Sequence, residues 1–234
     1  MAEQLPLQFE FNTQQTFYNY YPGSNQEIVA HLQEAIIHRT EQLIFLWGEP
    51  GLGKTHLLRA SCQLAYEQQQ SSFMISLNPE ALPDVSILDD LDAIESVCID
   101  NIDAIAGIDE WEHAFFNFFN RHRDNDQHLI LSATSPPVYL TVQLADLKTR
   151  LNWGLTLKLK ALTDNDSLGA LTFKADSLGF EISPQVGRFL LTHFARDLPS
   201  LWALLDRLDV ASLAAKRKLT LPFLKQLLKT PSDV

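Results

Sequence analysis

An α/β domain with a parallel sheet over residues 13–161, followed by a small all-α domain over 162–234, is predicted by two observations. Five strand-length apolar runs alternate with helical patterns in the first part, and in the second successive capped helices replace them. The runs are LIFLWG (43–48), SFMISL (72–77), SVCID (96–100), HLILSAT (128–134) and LTLKL (155–159). Their bounded lengths and near-continuous apolar content suit strands covered on both faces.

Among the intervening helices, NQEIVAHLQEAIIHR offers Asn25 as a cap and sets Ile28, Leu32, Ala35 and Ile36 on one face. The FFNFF cluster at 115–119 reads as core. Beyond Leu162, Thr163 or Asp164 opens a helix carrying Leu168, Leu171, Ala175 and Leu178, which Gly179 closes. Ser183 and Pro184 open a second, with Val186, Phe189, Leu190 and Phe194 on one face. A third runs from about Asp197 through Leu201, Leu204, Leu205, Leu208 and Ala211, and a fourth follows Thr220.

With 234 residues, 46% of them hydrophobic, the chain can bury a substantial core. Against 18 basic residues stand 29 acidic ones, a formal charge of -11 that repels phosphate backbones, so direct nucleic-acid binding is not expected. Lys216, Arg217 and Lys218 form the one basic cluster, and they read as a solvated helix end. Cys62 and Cys98 stand apart in apolar surroundings without CxxC spacing, as buried thiols of a reducing compartment do. No apolar stretch reaches the roughly 18 residues a bilayer requires, and no basic start followed by an apolar run appears. A cytoplasmic protein without a membrane partner is expected. The seven histidines show no metal-ligand spacing.

The motif that carries chemistry is GEPGLGKT, which places Gly48, Gly53, Lys54 and Thr55 at G-x-x-x-x-G-K-T spacing between an apolar strand and a helix. Backbone N–H groups from Gly51 to Thr55 would cradle a β-phosphate, Lys54 would reach toward the β- and γ-phosphates, and the Thr55 hydroxyl would ligate Mg2+. Such a site also needs an acid at the end of a neighbouring strand, and Asp100 closes SVCID. The next position, where a second carboxylate would orient attacking water, holds Asn101, which is neither charged nor basic. Binding with slow or absent turnover is expected, unless Asn101 serves a turn and another residue handles the water.

Residues 4–229 as a whole resemble the AAA+ domain of the bacterial replication initiator DnaA and its relatives. TFYNYYPGSNQ (16–26), the phosphate loop, CIDNID, LILSATSPP, LKTRLNWG and AKRKLTLPFLKQLLK carry the resemblance. It implies a five-stranded parallel AAA+ core, a helical lid, and bound ADP or ATP with Mg2+. Tyr21 and Pro22 would then lie near the adenine, although by itself YYPGSN is only a turn with aromatics. Thr134 falls at the sensor 1 position, commonly an Asp. Arg150 falls at the arginine finger that reaches the γ-phosphate on a neighbouring subunit; by itself it would read as a surface ion pair. The sensor 2 position aligns with Pro199 rather than with Arg196, which again suggests a diphosphate-bound protein rather than a cycling ATPase.

The tail QLPLQFEF alternates apolar residues as an edge strand does. Its residues Gln4, Leu5, Leu7 and Phe9 also resemble the short motif by which bacterial proteins dock on the DNA polymerase sliding clamp, and Pro6 suits a docked peptide. Residues 1–12 are therefore expected to be a clamp-binding tail, with DNA reached only through the clamp's β subunit. The function expected from the resemblance is negative regulation of initiation: an ADP-bound protein on the clamp stimulates ATP hydrolysis by DnaA. Self-association is compatible with it. With five residues after Lys229, no initiator's DNA-binding domain is expected to follow, which fits a regulator better than an initiator. The alternative is an active AAA+ ATPase that remodels a partner, such as a helicase loader.

Overall fold

The computed structural model of the chain describes residues 15–194, 198–215, 220–222 and 224. All five apolar runs become strands of one sheet: β1 (Leu43–Trp47), β2 (Ser72–Ser76), β3 (Ser96–Asp100), β4 (His128–Ala133) and β5 (Leu155–Lys158). Their order is β2-β3-β4-β1-β5, and every pairing is parallel. The helices are α1 (Gln26–His38), α2 (Lys54–Glu67), α3 (Asp109–Asp124), α4 (Ala145–Leu151), α5 (Asp164–Ser177), α6 (Pro184–His193) and α7 (Leu198–Ala215). The described residues divide into two compact units. The first holds residues 15–20, Ile28–Gly48 and Gly53–Lys158; the second holds Tyr21–Glu27, Glu49–Leu52 and the chain from Leu159 onward.

In the first unit, alternation along the strands sorts side chains between two faces. Leu43, Phe45, Val97, Ile99, Leu129 and Leu131 share a core with Phe115, Phe118, Phe119, Leu147 and Leu151 of α3 and α4. The FFNFF cluster is therefore core, with three of its four Phe residues buried. Full burial of a side chain such as Phe45 or Phe115 stabilises the fold by roughly 1.5–3 kcal/mol. On the other face lie Ile44, Leu46, Cys98 and Ile130, together with Asp100 and Ser132, and α2 packs there through Leu57, Leu58 and Cys62. Both cysteines are buried thiols, and contact with Cys62 and burial push the Cys98 thiol well above its ordinary range. Internal strands β3 and β4 are buried throughout, whereas β5 alternates exposed and half-buried residues as an edge strand does.

In the second unit, α5 begins with a reciprocal capping box: the Thr163 hydroxyl accepts the Asp166 N–H, and Asp166 accepts the Thr163 N–H. Ser183 caps α6 with Pro184 in its first turn, and Gly179, at φ 84°, follows α5. The apolar stripes meet in a core of Leu171, Ala175, Val186, Leu190, Leu201, Leu205, Leu208 and Leu224. Asn25 differs from expectation. Rather than capping α1, its side chain donates to the Lys160 carbonyl at 2.9 Å and accepts the Lys160 N–H at 2.8 Å. The two-way amide pairing satisfies a buried Asn that a helix cap would leave half satisfied. Among the described residues, no helix is long and apolar enough to cross a membrane.

Candidate functional site

β1 ends at Trp47 and α2 begins at Lys54, so the motif GEPGLGKT folds as a tight loop from strand to helix and the start of that helix. The loop requires glycine at two places. Gly51 and Gly53 have φ values of 81° and 87°, in the left-handed region that side chains avoid. A Cβ at Gly53 would also lie 2.8 Å from the Tyr20 ring. That ring is buried and packs edge-on to His56, and burial pushes its phenol up to about 12. Gly48 anchors the loop to the sheet by donating its N–H to the Ala133 carbonyl at 3.3 Å.

Lys54 is only 7% exposed, and one of its three N–H donors goes to the Gly48 carbonyl at 2.7 Å. Burial lowers its pKa, while Asp100 and then Asp103 pull it back up, so the ammonium sits under two opposing influences.

Strand register builds the acid's surroundings. Cys98 pairs with Ile130, which sets Asp100 beside Ser132, and Ser76 pairs with Asp100 directly. Asp100 is therefore flanked by a serine on each neighbouring strand, while the first turn of α2 brings Thr55 over it. The Thr55 hydroxyl donates to Asp100 Oδ2 at 2.6 Å, the Ser76 hydroxyl to the same oxygen at 3.5 Å, and the Ser132 hydroxyl to Oδ1. A carboxylate with 1% exposure is thus satisfied by three hydroxyls, without a bidentate cation. Hydroxyl and carboxylate oxygens are the ligands Mg2+ takes when phosphates complete its shell. Thr55 and Asp100 would hold such an ion, which would neutralise phosphate charge.

Asn101 adopts φ 60° and ψ 51°, a conformation that Asn tolerates and most side chains do not. Its amide donates to the Leu77 carbonyl at 3.4 Å and its N–H to the Ser132 hydroxyl at 3.1 Å. The residue that replaces a second acid therefore makes a turn and braces β2 and β4. A carboxylate does follow two residues later: in the 3₁₀ turn Ile102–Ile105, Asp103 accepts the hydroxyl and the N–H of Thr134, at 2.6 and 3.1 Å.

Gly48, Gly53, Lys54, Thr55, Asp100 and Thr134 gather at the carboxyl ends of β1, β3 and β4, where parallel sheets place their sites. Arg150 lies in the last turn of α4, half-buried, and its guanidinium makes no hydrogen bond or ion pair with the described residues. Tyr21 and Pro22 belong to the second unit, where Tyr21 packs on Phe173 and its hydroxyl fills the space beside Gly169. Gln4, Leu5, Leu7, Phe9, Arg196 and the Lys216–Lys218 cluster lie outside the described residues, and Pro199 falls in the first turn of α7.

Several participants carried only faint sequence signals. Ser132 is a lone hydroxyl in an apolar strand, which demands a buried partner. Asp103 was the last letter of CIDNID. Glu112 lies at helical spacing from Phe115 and Phe119, on a face where a bare carboxylate cannot sit.

A glycine-rich loop between β1 and α2, an acid at the end of β3 and a five-stranded parallel sheet followed by a helical unit define a P-loop module of the AAA+ kind. The chain belongs to the family of the bacterial DnaA ATPase domain, whose model residues 11–158 match. Residues 164–228 match the lid domain of Hda. Domain III of the Thermotoga maritima replication initiation protein DnaA superposes with a TM-score of 0.76 at 21% identity, covering 94% of this chain and 99% of that one. For AMPPCP-bound DnaA from Aquifex aeolicus the values are 0.71 and 18%, with 82% and 64% covered. The Thermotoga maritima RuvB Holliday junction branch migration motor gives 0.63 and 20%, with 87% and 69% covered. At these identities the likeness is one of fold. The chain spans under two thirds, 64–65%, of the nucleotide-bound DnaA chains it matches.

Proposed function

We propose that the chain is a nucleotide-bound regulator of DnaA that supplies Arg150 to the γ-phosphate held by its partner. Membership of the DnaA ATPase family, joined to a lid of the Hda kind, supports a replication regulator. The observation that carries the role of Arg150 is its half-buried place at the end of α4 with no partner for its guanidinium among the described residues. A planar cation set there is suited to meet an anion from another molecule.

In its own site, Lys54 binds phosphate, Thr55 and Asp100 hold magnesium, and ADP is the resident nucleotide. Asn101, engaged with the Leu77 carbonyl, offers no basic group to activate water. Tyr21 and Pro22 contribute on the adenine side, and Thr134 is the sensor 1 residue. Gln4, Leu5, Leu7 and Phe9 dock on the sliding clamp, so the protein meets DNA only through it.

The deciding experiment mixes the purified chain, clamp loaded on DNA and ATP-bound DnaA, and follows phosphate release. Arg150→Ala is expected to bind ADP as before yet lose the stimulation. Stimulation that survives in that variant rejects the reading. Robust steady-state hydrolysis by the chain alone, abolished by Lys54→Ala, would instead identify an ATPase that remodels a partner. Clamp retention unchanged by replacing Gln4, Leu7 and Phe9 with Ala would remove the docking step.

A further inference from the structure

The Asp103 carboxylate is tied to the end of β4, which pairs with the end of β1 from which the phosphate loop leads. Its Oδ2 accepts the Thr134 hydroxyl at 2.6 Å and the Thr134 N–H at 3.1 Å. The preceding carbonyl, that of Ala133, accepts the Gly48 N–H at 3.3 Å, and the Gly48 carbonyl in turn accepts Lys54 Nζ at 2.7 Å. An unbroken run of contacts thus joins the carboxylate to the phosphate-binding ammonium, all within the first unit. Asp103 also acts on Lys54 through space, second to Asp100 among the charges that hold the ammonium protonated.

Two consequences follow for a nucleotide on this loop. A hydroxyl has a single hydrogen, and that of Thr134 is spent on Asp103, as is the backbone N–H of the same residue. Thr134 therefore has no donor left for a terminal phosphate. Beside it, half-buried, stands a carboxylate whose charge repels an added phosphate through a medium less polar than water. A diphosphate has no γ-phosphate to meet either obstacle.

We infer that Asp103 sets the phosphate count of the bound nucleotide, disfavouring nucleoside triphosphate and leaving diphosphate as the form the site retains. The inference rests on the proposed reading of the Lys54 loop as a nucleotide site and adds the residue that determines its selectivity. It also gives the second acid of CIDNID a task other than activating water.

The test is calorimetric titration of the full chain with ADP and with the non-hydrolysed ATP analogue AMPPCP, both with Mg2+. Wild type is expected to favour ADP by about tenfold, the scale of one unfavourable charge contact at a partly exposed site. Asp103→Asn keeps an oxygen for Thr134 but removes the charge, and should bring the ratio of the two affinities close to one. Thr134→Val removes the hydroxyl but leaves the carboxylate, and should keep the preference for ADP. Asp103→Ser provides a second neutral variant if the amide folds poorly by thermal melting. A ratio that stays at its wild-type value in a folded, neutral variant overturns the inference, while ADP binding by the wild type would leave the nucleotide reading intact. Loss of measurable ATP turnover in Asp103→Asn at an unchanged ratio also overturns it, assigning the carboxylate to water instead. Wild type that binds neither nucleotide removes the reading of the loop, and the inference with it.

Discussion

The backbone N–H of Leu144 donates at 2.7 Å to the carboxylate of Glu112, so the residue that leads into the Arg150 helix is held by α3. Glu112 is 1% exposed, and both its oxygens accept backbone N–H groups: Gly107 at 2.6 Å and Gln143 at 2.9 and 3.1 Å. The charge is solvated by the fold rather than by a cation, and three loop N–H groups depend on it.

Glu112→Ala is therefore expected to cost about 3 kcal/mol in urea unfolding, because it strands those donors as well as emptying space. Glu112→Gln keeps one acceptor oxygen but turns an amide N–H2 toward N–H groups, and should cost roughly half as much. A loss under about 1 kcal/mol for the alanine variant would mean that the loops reach water when the carboxylate is gone.

Lys54 and Asp100 make different demands on a nucleotide. Lys54→Ala removes a buried charge-assisted donor and should weaken ADP binding by about a hundredfold or more in a fluorescence titration. Asp100→Asn keeps an oxygen for the Thr55 hydroxyl but loses the negative charge a divalent ion needs. Its ADP affinity should no longer rise when Mg2+ is added. Equal magnesium dependence in wild type and Asp100→Asn would exclude Asp100 as a ligand.

At Asn101 the backbone conformation decides which replacements are informative. Asp shares the tolerance of Asn for φ 60°, whereas Glu does not and should lose about 1 kcal/mol of stability from strain. Asn101→Asp is thus the cleaner way to restore a second acid. A rise in ATP turnover in that variant would locate the limit on hydrolysis at this residue, and no rise would point to other parts of the site.

How much of this was legible in the sequence depended on how local each signal was. The central strands announced themselves because strands buried on both faces are apolar over most of their length, as SVCID and HLILSA are between their polar residues. Gly48, Gly53, Lys54 and Thr55 were readable because phosphate binding by backbone N–H groups fixes both residue type and spacing. The serines beside Asp100 were not, since Ser76 and Ser132 meet it only through strand register, 24 and 32 residues away in the chain. Asn25 failed for a related reason: its partner, the Lys160 backbone, is 135 positions distant and outcompetes the adjacent helix end. Asp103 was in plain view, but only its bond to Thr134 distinguishes it from an ordinary turn residue.

The buried histidine pair formed by His122 of α3 and His128 at the start of β4 gives the fold a pH dependence whose direction follows from its burial and hydrogen bonds. His122 Nε2 donates to the His128 carbonyl at 3.1 Å, and His128 Nδ1 donates to the Glu41 carbonyl at 2.7 Å. The remaining ring nitrogens, His122 Nδ1 and His128 Nε2, are buried without a hydrogen-bond partner among the described residues. Burial pushes both pKa values below the ordinary 6.5, outweighing the carbonyl bonds that favour the charged form. The unfolded chain then takes up protons first as pH falls, so this contribution to stability is complete above about 6.5 and is lost below it. Asp84, Glu95 and Asp166 are also held below their ordinary values of 3.8 to 4.5, by their hydrogen bonds, so their contributions fade in the same direction but only at lower pH. Urea unfolding should give equal stability at pH 7 and 8 and a loss of about 1 kcal/mol or more by pH 5.5. Replacing His122 and His128 together by Gln should flatten that slope, whatever the variant's absolute stability. A wild-type profile level from pH 8 to 5.5 would mean that both rings accept protons without unfolding.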